Sequence, residues 1–131
     1  MSKQTLPLLA VLFSAMLLFV GCVTQPHVEP EPLAGVVNEI HLPYGNIDTN
    51  LTAEDLRRIG LNQGDFFFVV AGQNTLGVLW ANTYSDVPEG SGVAFLNWED
   101  KVRIARNHAN AAETLGLEVG DTFTIVRQLA Q

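Results

Sequence analysis

The chain has 131 residues, 14 acidic against 7 basic, and a formal net charge of −7, a balance that repels phosphate backbones and argues against nucleic acid as a partner. One cysteine cannot form an internal disulfide. The length suffices for one small domain with one core.

Residues 1–21 read as an export signal, because Lys3 stands ahead of an apolar run from Leu8 to Val20 that ends in small residues. The run is too short for a comfortable membrane span. It closes on Leu18-Phe19-Val20-Gly21-Cys22, which resembles a lipobox with Phe19 where leucine is usual. That resemblance implies cleavage before Cys22 and lipidation of its thiol and new amino group. Several acyl chains make a stable anchor, since each buried methylene adds about 0.8 kcal/mol. Val23 rather than an aspartate follows, which in a bacterium with two membranes points to the periplasmic face of the outer one. Beyond residue 21 the chain keeps 6 basic and all 14 acidic residues, a formal charge of −8.

Residues 22–34 hold Pro26, Pro30 and Pro32 among few apolar residues, the composition of a semi-rigid tether; His27 within it is expected to be solvated. The folded domain is expected over 35–131. Alternating apolar residues predict a strand at 36–42, ended by Pro43, with Pro43-Tyr44-Gly45-Asn46 as a turn. Thr52 is placed to cap a helix over 53–59, with Asp55 in the capping-box position and Gly60 as its stop. Asp48 and Asn50 are read as part of the turn and cap: the run lacks the glycine and distal glutamate of a calcium loop, and no metal site is expected.

Residues 59–70 (IGLNQGDFFFVV) align without a gap on 115–126 (LGLEVGDTFTIV). Both read as a helix end, a glycine stop, a Gly-Asp turn and a strand, hence two similar corners of one barrel-like domain. Strands are predicted at 65–71, 77–82, 92–98 and 121–127, with a turn at 86–90. Residues 101–115 satisfy helical and strand periodicities alike.

Three blocks resemble the C-terminal domain of the S-adenosylmethionine hydroxide adenosyltransferase family: Tyr44-Gly45-Asn46-Ile47-Asp48-Thr49-Asn50-Leu51, Thr83-Tyr84-Ser85-Asp86-Val87-Pro88-Glu89-Gly90, and the stretch 96–121. The resemblance implies a mainly β (α+β), small barrel-like domain with two short helices, a strand at 102–106 and a helix from about Asn110. It also implies trimers in which the adenosine end of the substrate lies between one subunit's C-terminal domain and its neighbour's N-terminal domain. Carried over residue by residue, Asn46 matches the asparagine that bonds the adenine and Arg106 a position lining its pocket. Tyr44 and Tyr84 fall on or near aromatics beside the base. His41 or Leu42 replaces an aspartate, and Trp98 and Glu99 replace residues that meet the methionine end, so intact S-adenosylmethionine is not expected to bind. The resemblance stops at this domain. The family's catalytic N-terminal domain has no counterpart here, so the chain alone is expected not to be an enzyme and to need no cofactor.

The other asparagines, Asn50, Asn97, Asn107 and Asn110, are read as turn-formers. Phe66, Phe67, Phe68, Phe95 and Phe123 are read as core or barrel wall. Arg103 and Arg106, three apart on a strand, should face opposite sides, one toward a pocket and the other solvated. Three functional readings follow. The preferred one is a non-catalytic, lipid-anchored interaction or structural module, as a homotrimer or with a separate protein. The second is an adenosine-binding module using Tyr44, Asn46, Tyr84 and Arg106. The third is half of an enzyme completed by a separate N-terminal domain. An open cleft lined by Asn46 and an aromatic favours binding; Trp98 packed into it favours the structural reading.

Overall fold

A computed structural model describes residues 20–26 and 31–129. Most of the export signal (residues 1–19), the tether residues 27–30, with His27 and Pro30, and the last two residues lie outside them. Among the described residues no helix is long and apolar enough to cross a membrane.

Seven strands close a barrel: β1 (Leu33–His41), β2 (Asn46–Thr52), β3 (Phe66–Ala71), β4 (Asn74–Trp80), β5 (Gly92–Leu96), β6 (Lys101–Arg106) and β7 (Thr122–Val126). They follow one another round it in the order β1-β2-β6-β5-β4-β3-β7. Every pairing is antiparallel except β4 with β5, and closure leaves no bare sheet edge. Two helices, α1 (Ala53–Arg58) and α2 (Ala111–Leu115), connect strands. Inward residues alternate along the strands, and Ile47, Phe67, Val69, Ile104 and Ile125 form one core with Leu56 of α1 and Leu115 of α2.

Both helices start as their sequences direct. The Thr52 hydroxyl accepts from Asp55 N at 3.2 Å while the Asp55 carboxylate accepts from Thr52 N at 2.9 Å, a reciprocal capping box. Asn110 Oδ1 accepts from Glu113 N at 2.8 Å to cap α2. After α1, Gly60 has φ +81°, and after α2, Gly116 has φ +66°, a left-handed conformation that glycine adopts at no steric cost.

The repeated corners match bond for bond. Asp65 accepts from Asn62 N, and Asp121 from Glu118 N, both at 2.8 Å. Gly64 N donates to Trp80 O at 2.7 Å where Gly120 N donates to Val37 O at 2.9 Å. The repeats meet where β3 pairs β7, and Val69 stands opposite Ile125, the residue that aligns with it. The two corners are thus related by a local two-fold axis through that pair.

Several expectations need correction. Residues 46–52 form a full strand rather than a turn leading to a cap: the turn's polar residues hid the alternation of Ile47, Thr49 and Leu51, all buried. β1 begins at Leu33, inside the expected tether, because Leu33 pairs Ile125 of β7. β4 begins at Asn74, since Gly72 at φ +59° closes a tight hairpin from β3. β5 ends at Leu96, so Trp98 lies in the following turn, 83% exposed. Phe66 is exposed on the outer wall, edge to face with Phe68 at 5.5 Å, while Phe67 and Phe123 point inward.

A second, smaller apolar cluster sits on the outer face of β5 and β6, where Val93, Phe95 and Ala105 pack with Ala81 and Val87. A 3-10 turn, Tyr84–Asp86, covers it, with Tyr84 against the cluster. This covered patch positions the candidate site.

Candidate functional site

At one end of the barrel the β1–β2 turn, the 3-10 turn and the segment joining β6 to α2 enclose an open cleft of about 650 Å³ lined by Tyr44, Asn46, Tyr84, Arg106, His108 and Asn110, among others. The four residues expected at a nucleoside site therefore line a single cavity.

Its floor is built by backbone. Gly45, at φ +71° in the β1–β2 turn, accepts from Ala112 N at 3.0 Å through its carbonyl, which ties the turn to the start of α2. A Cβ at Gly45 would fall on the Asn110 amide that caps the helix, so turn and cap fit only around glycine. The Leu42–Pro43 peptide in this turn is cis.

The four residues do different work there. Tyr44 stands 71% exposed at the rim, its ring open to stacking. Asn46 is only 8% exposed and donates from Nδ2 to the Tyr84 hydroxyl at 2.7 Å. Its Oδ1 takes no hydrogen bond from the described residues, yet no buried side-chain polar atom among them is left unpartnered, so that oxygen is open to the cleft. The Tyr84 ring is held edge-on by Phe95, centroids 4.7 Å apart. Arg106 spends its guanidinium inside the protein: Nε and one amino group donate to Gly90 O at 2.9 and 2.8 Å, and the other amino group to Thr114 Oγ1 at 3.0 Å. It forms a wall rather than a free cation.

The remaining asparagines serve backbone geometry, as read: Asn50 accepts from Val36 N, Asn97 from Glu99 N and Lys101 N, Asn107 donates to Val87 O, and Asn110 caps α2. Asn46 departs from them by bonding a side chain.

Behind Tyr84 lies a network that the sequence reading did not single out. Asp48 Oδ1 accepts from Arg103 Nε at 2.6 Å and Oδ2 from an Arg103 amino group at 2.9 Å, a two-pronged ion pair. His41 Nε2 lies 2.7 Å from Asp48 Oδ2. Burial alone would raise the Asp48 carboxyl, but the bonds from Arg103 and His41 outweigh it and hold its pKa below the ordinary carboxylate value. Arg103 is held above its ordinary value by the Asp48 bond, against burial, with the Tyr84 hydroxyl adding to the effect. Arg103 and Arg106 do face opposite sides of the sheet, yet neither is solvated, since the Arg103 side chain is only 16% exposed. The signal that could have found the network was the alternation 47, 49, 51, which turns Asp48 outward beside an arginine on a neighbouring strand.

Glu39, His41 and Asp48 bring three donor atoms within 4.8 Å of one another. A cation there would meet the Arg103 guanidinium, 3.2 Å from His41 Nε2, so the group reads as the rim of an ion pair. Trp98 takes no part in the cleft. It precedes Lys101, the end of β6 opposite Arg106, and Lys101 pairs Thr52 at the far end of β2 from Asn46.

A closed mainly-β barrel carrying this cleft between a Tyr-Gly-Asn turn and a capped helix defines a class of domain rather than a reaction. The sequence matches the SAM hydroxide adenosyltransferase C-terminal domain over residues 43–124, and the chain belongs to that family. Among curated relatives it is 30% identical to a fluorinase of an Actinoplanes species over 97 residues, 72% of this chain and 33% of the relative. A fluorinase of Nocardia brasiliensis is 30% identical over 95 residues, covering 71% and 32%. The chain thus spans about a third of their length. Of solved structures, an uncharacterized conserved protein from Thermotoga maritima matches with a TM-score of 0.66 at 22% identity, covering 72% of this chain and 38% of that one, a likeness of fold. A conserved hypothetical protein from Thermus thermophilus matches with a TM-score of 0.51 at 28% identity, covering 75% and 37%.

Proposed function

We propose that the domain is a non-catalytic, lipid-tethered module that binds an adenosine-like ligand in the Tyr44–Asn46–Tyr84 cleft. The observation that carries this reading is the unspent Asn46 Oδ1, on a side chain otherwise buried, in a cavity that Tyr44 and Tyr84 also line. An amide reads a base edge while an aromatic ring stacks on its face. The adenosyl group in the family's description supplies the ligand class. What supports the non-catalytic part of the reading is that the residues shared with the fluorinases span about a third of their length and that a cleft open on one side holds no group, among the described residues, placed to align a nucleophile behind a ribose carbon.

Isothermal titration of the full chain in mild detergent with adenosine, S-adenosylmethionine and methionine tests this. Saturable binding of adenosine is expected, weakened by about 1 kcal/mol or more in Asn46→Ala. No heat with any of the three would remove the binding reading. It would leave the module that acts through its surface, alone or as a homotrimer, a reading favoured by the exposure of Leu42 (80%) and Trp98 (83%).

A further inference from the structure

We propose that Trp98 is the anchor of a protein-binding surface, and that its partner is a protein presenting an apolar pocket rimmed by lysine or arginine. The surface lies at the end of the barrel remote from the cleft, so it goes beyond the nucleoside reading and stands whether or not that reading does.

The indole is 83% exposed, yet the turn beneath it is fixed. Asn97 N donates to Lys101 O at 2.8 Å and Asn97 O accepts from Asp100 N at 3.0 Å. The Asn97 side chain, on a residue only 8% exposed, accepts from Glu99 N at 2.9 Å and from Lys101 N at 3.0 Å. Asp100 holds φ +59°, a left-handed conformation that a residue with a side chain keeps where its surroundings fix it. A turn already held in shape loses little freedom on association, and tryptophan is among the side chains enriched at the centre of protein contacts.

Charge and position narrow the partner. On α1, which follows Thr52, the residue paired with Lys101, Arg57 pairs with Glu54 and Arg58 with Glu54 and Asp55. Glu99 and Asp100 are exposed and join no ion pair among the described residues. With Lys101 next in sequence, the turn keeps a net negative charge. β1 runs from Leu33 to His41, which pairs Asn46 at the cleft, so the chain enters the barrel at the end that carries Trp98. Other occupants fit this end poorly. A small ligand needs a concave site, whereas the indole stands nearly bare on a convex turn. Anionic headgroups repel Glu99 and Asp100. A second copy brings the same −8 beyond residue 21, and its cleft is bordered by Glu89 beside His108. A protein pocket supplies the concavity that the turn lacks, and cations at its rim meet the two carboxylates.

The test has two arms. In the first, iodide quenching of tryptophan fluorescence is measured on the full chain in mild detergent; Trp80 is 4% exposed, so the quenched emission is that of Trp98. Glu99→Gln/Asp100→Asn should raise the quenching, because two anions beside the indole no longer repel iodide; no change would overturn the cationic rim. In the second, p-benzoylphenylalanine replaces Leu96, 37% exposed and two residues from Trp98, in the full chain within the cells that make it. A light-induced adduct with a second protein is expected. That protein, purified, should bind the full chain at least about tenfold less tightly after Trp98→Ala and less tightly as salt is raised, and saturating adenosine should leave its binding unchanged. The assignment of Trp98 falls if the adduct forms only with another copy of this chain, with lipid or with glycan, or if none forms. It falls equally if the captured protein binds Trp98→Ala as tightly as the unaltered chain.

Discussion

Asp48→Asn keeps the shape of the side chain and removes the charge that Arg103 was buried to meet. With the carboxylate 9% and the guanidinium 16% exposed, the loss leaves a positive charge in a poorly hydrated place, and breaking such a pair costs about 3 kcal/mol or more. Urea unfolding at pH 7 should show that drop. Because the folded pKa of Asp48 is lowered, its contribution is fully present above the unfolded carboxyl value of about 3.9. It is lost as the pH falls from there through the folded value. In a His41→Gln background, which removes the other titrating partner of Asp48, the gap between Asp48 and Asp48→Asn should therefore be constant from pH 7 to about 5 and close in stronger acid. A gap unchanged at pH 2 would mean that Asp48 acts by packing and not by charge.

At the level of elements, the two helix-to-strand corners should behave as one device used twice. Asp65→Ala and Asp121→Ala each remove the acceptor of one exposed backbone N–H at the same 2.8 Å distance, so each should cost about 1 kcal/mol. The sites lie toward opposite ends of the paired strands β3 and β7, whose registered centre is Val69 and Ile125, so the double variant should lose the sum within about 0.5 kcal/mol. Denaturation of the three variants would show it; a strongly unequal pair would break the repeat's equivalence. The corners were legible in the sequence because glycine stops and Gly-Asp turns leave a local signature that survives out of context. β2 was not, because Asn46, Asp48 and Asn50 look like turn residues until their partners are known: Tyr84, Arg103 and the backbone of Val36 lie 38, 55 and 14 residues away. The same limit hid half of the site. Asn46, Tyr44, Tyr84 and Arg106 were found through family resemblance, but that Arg106 is spent on Gly90 and that Arg103 stands behind Tyr84 are facts of closure, which no local pattern carries.

For the whole molecule the remaining question is whether it is held at a membrane and by which part. Cys22 is exposed and lies eleven residues before the first strand residue, Leu33, a reach of roughly 35–40 Å when extended. Beyond residue 21 the chain carries −8, which anionic headgroups repel, and the exposed Trp98 is followed directly by Glu99 and Asp100. The protein surface therefore supplies little attraction of its own, and we propose that Cys22 carries a lipid and that this lipid is the anchor. The unaltered chain should incorporate labelled palmitate, stay with membranes through a high-salt wash and leave only with detergent. The chain from Val23 onward, exported behind an ordinary cleavable signal, should be found in the soluble fraction at every salt concentration. If that shortened chain sediments with membranes and is not released by salt, the attachment lies in the domain itself, and the exposed indole of Trp98 becomes the first side chain to replace. If it is released only by high salt, the contact is electrostatic and must come from the few cations on the barrel, which the net charge argues against.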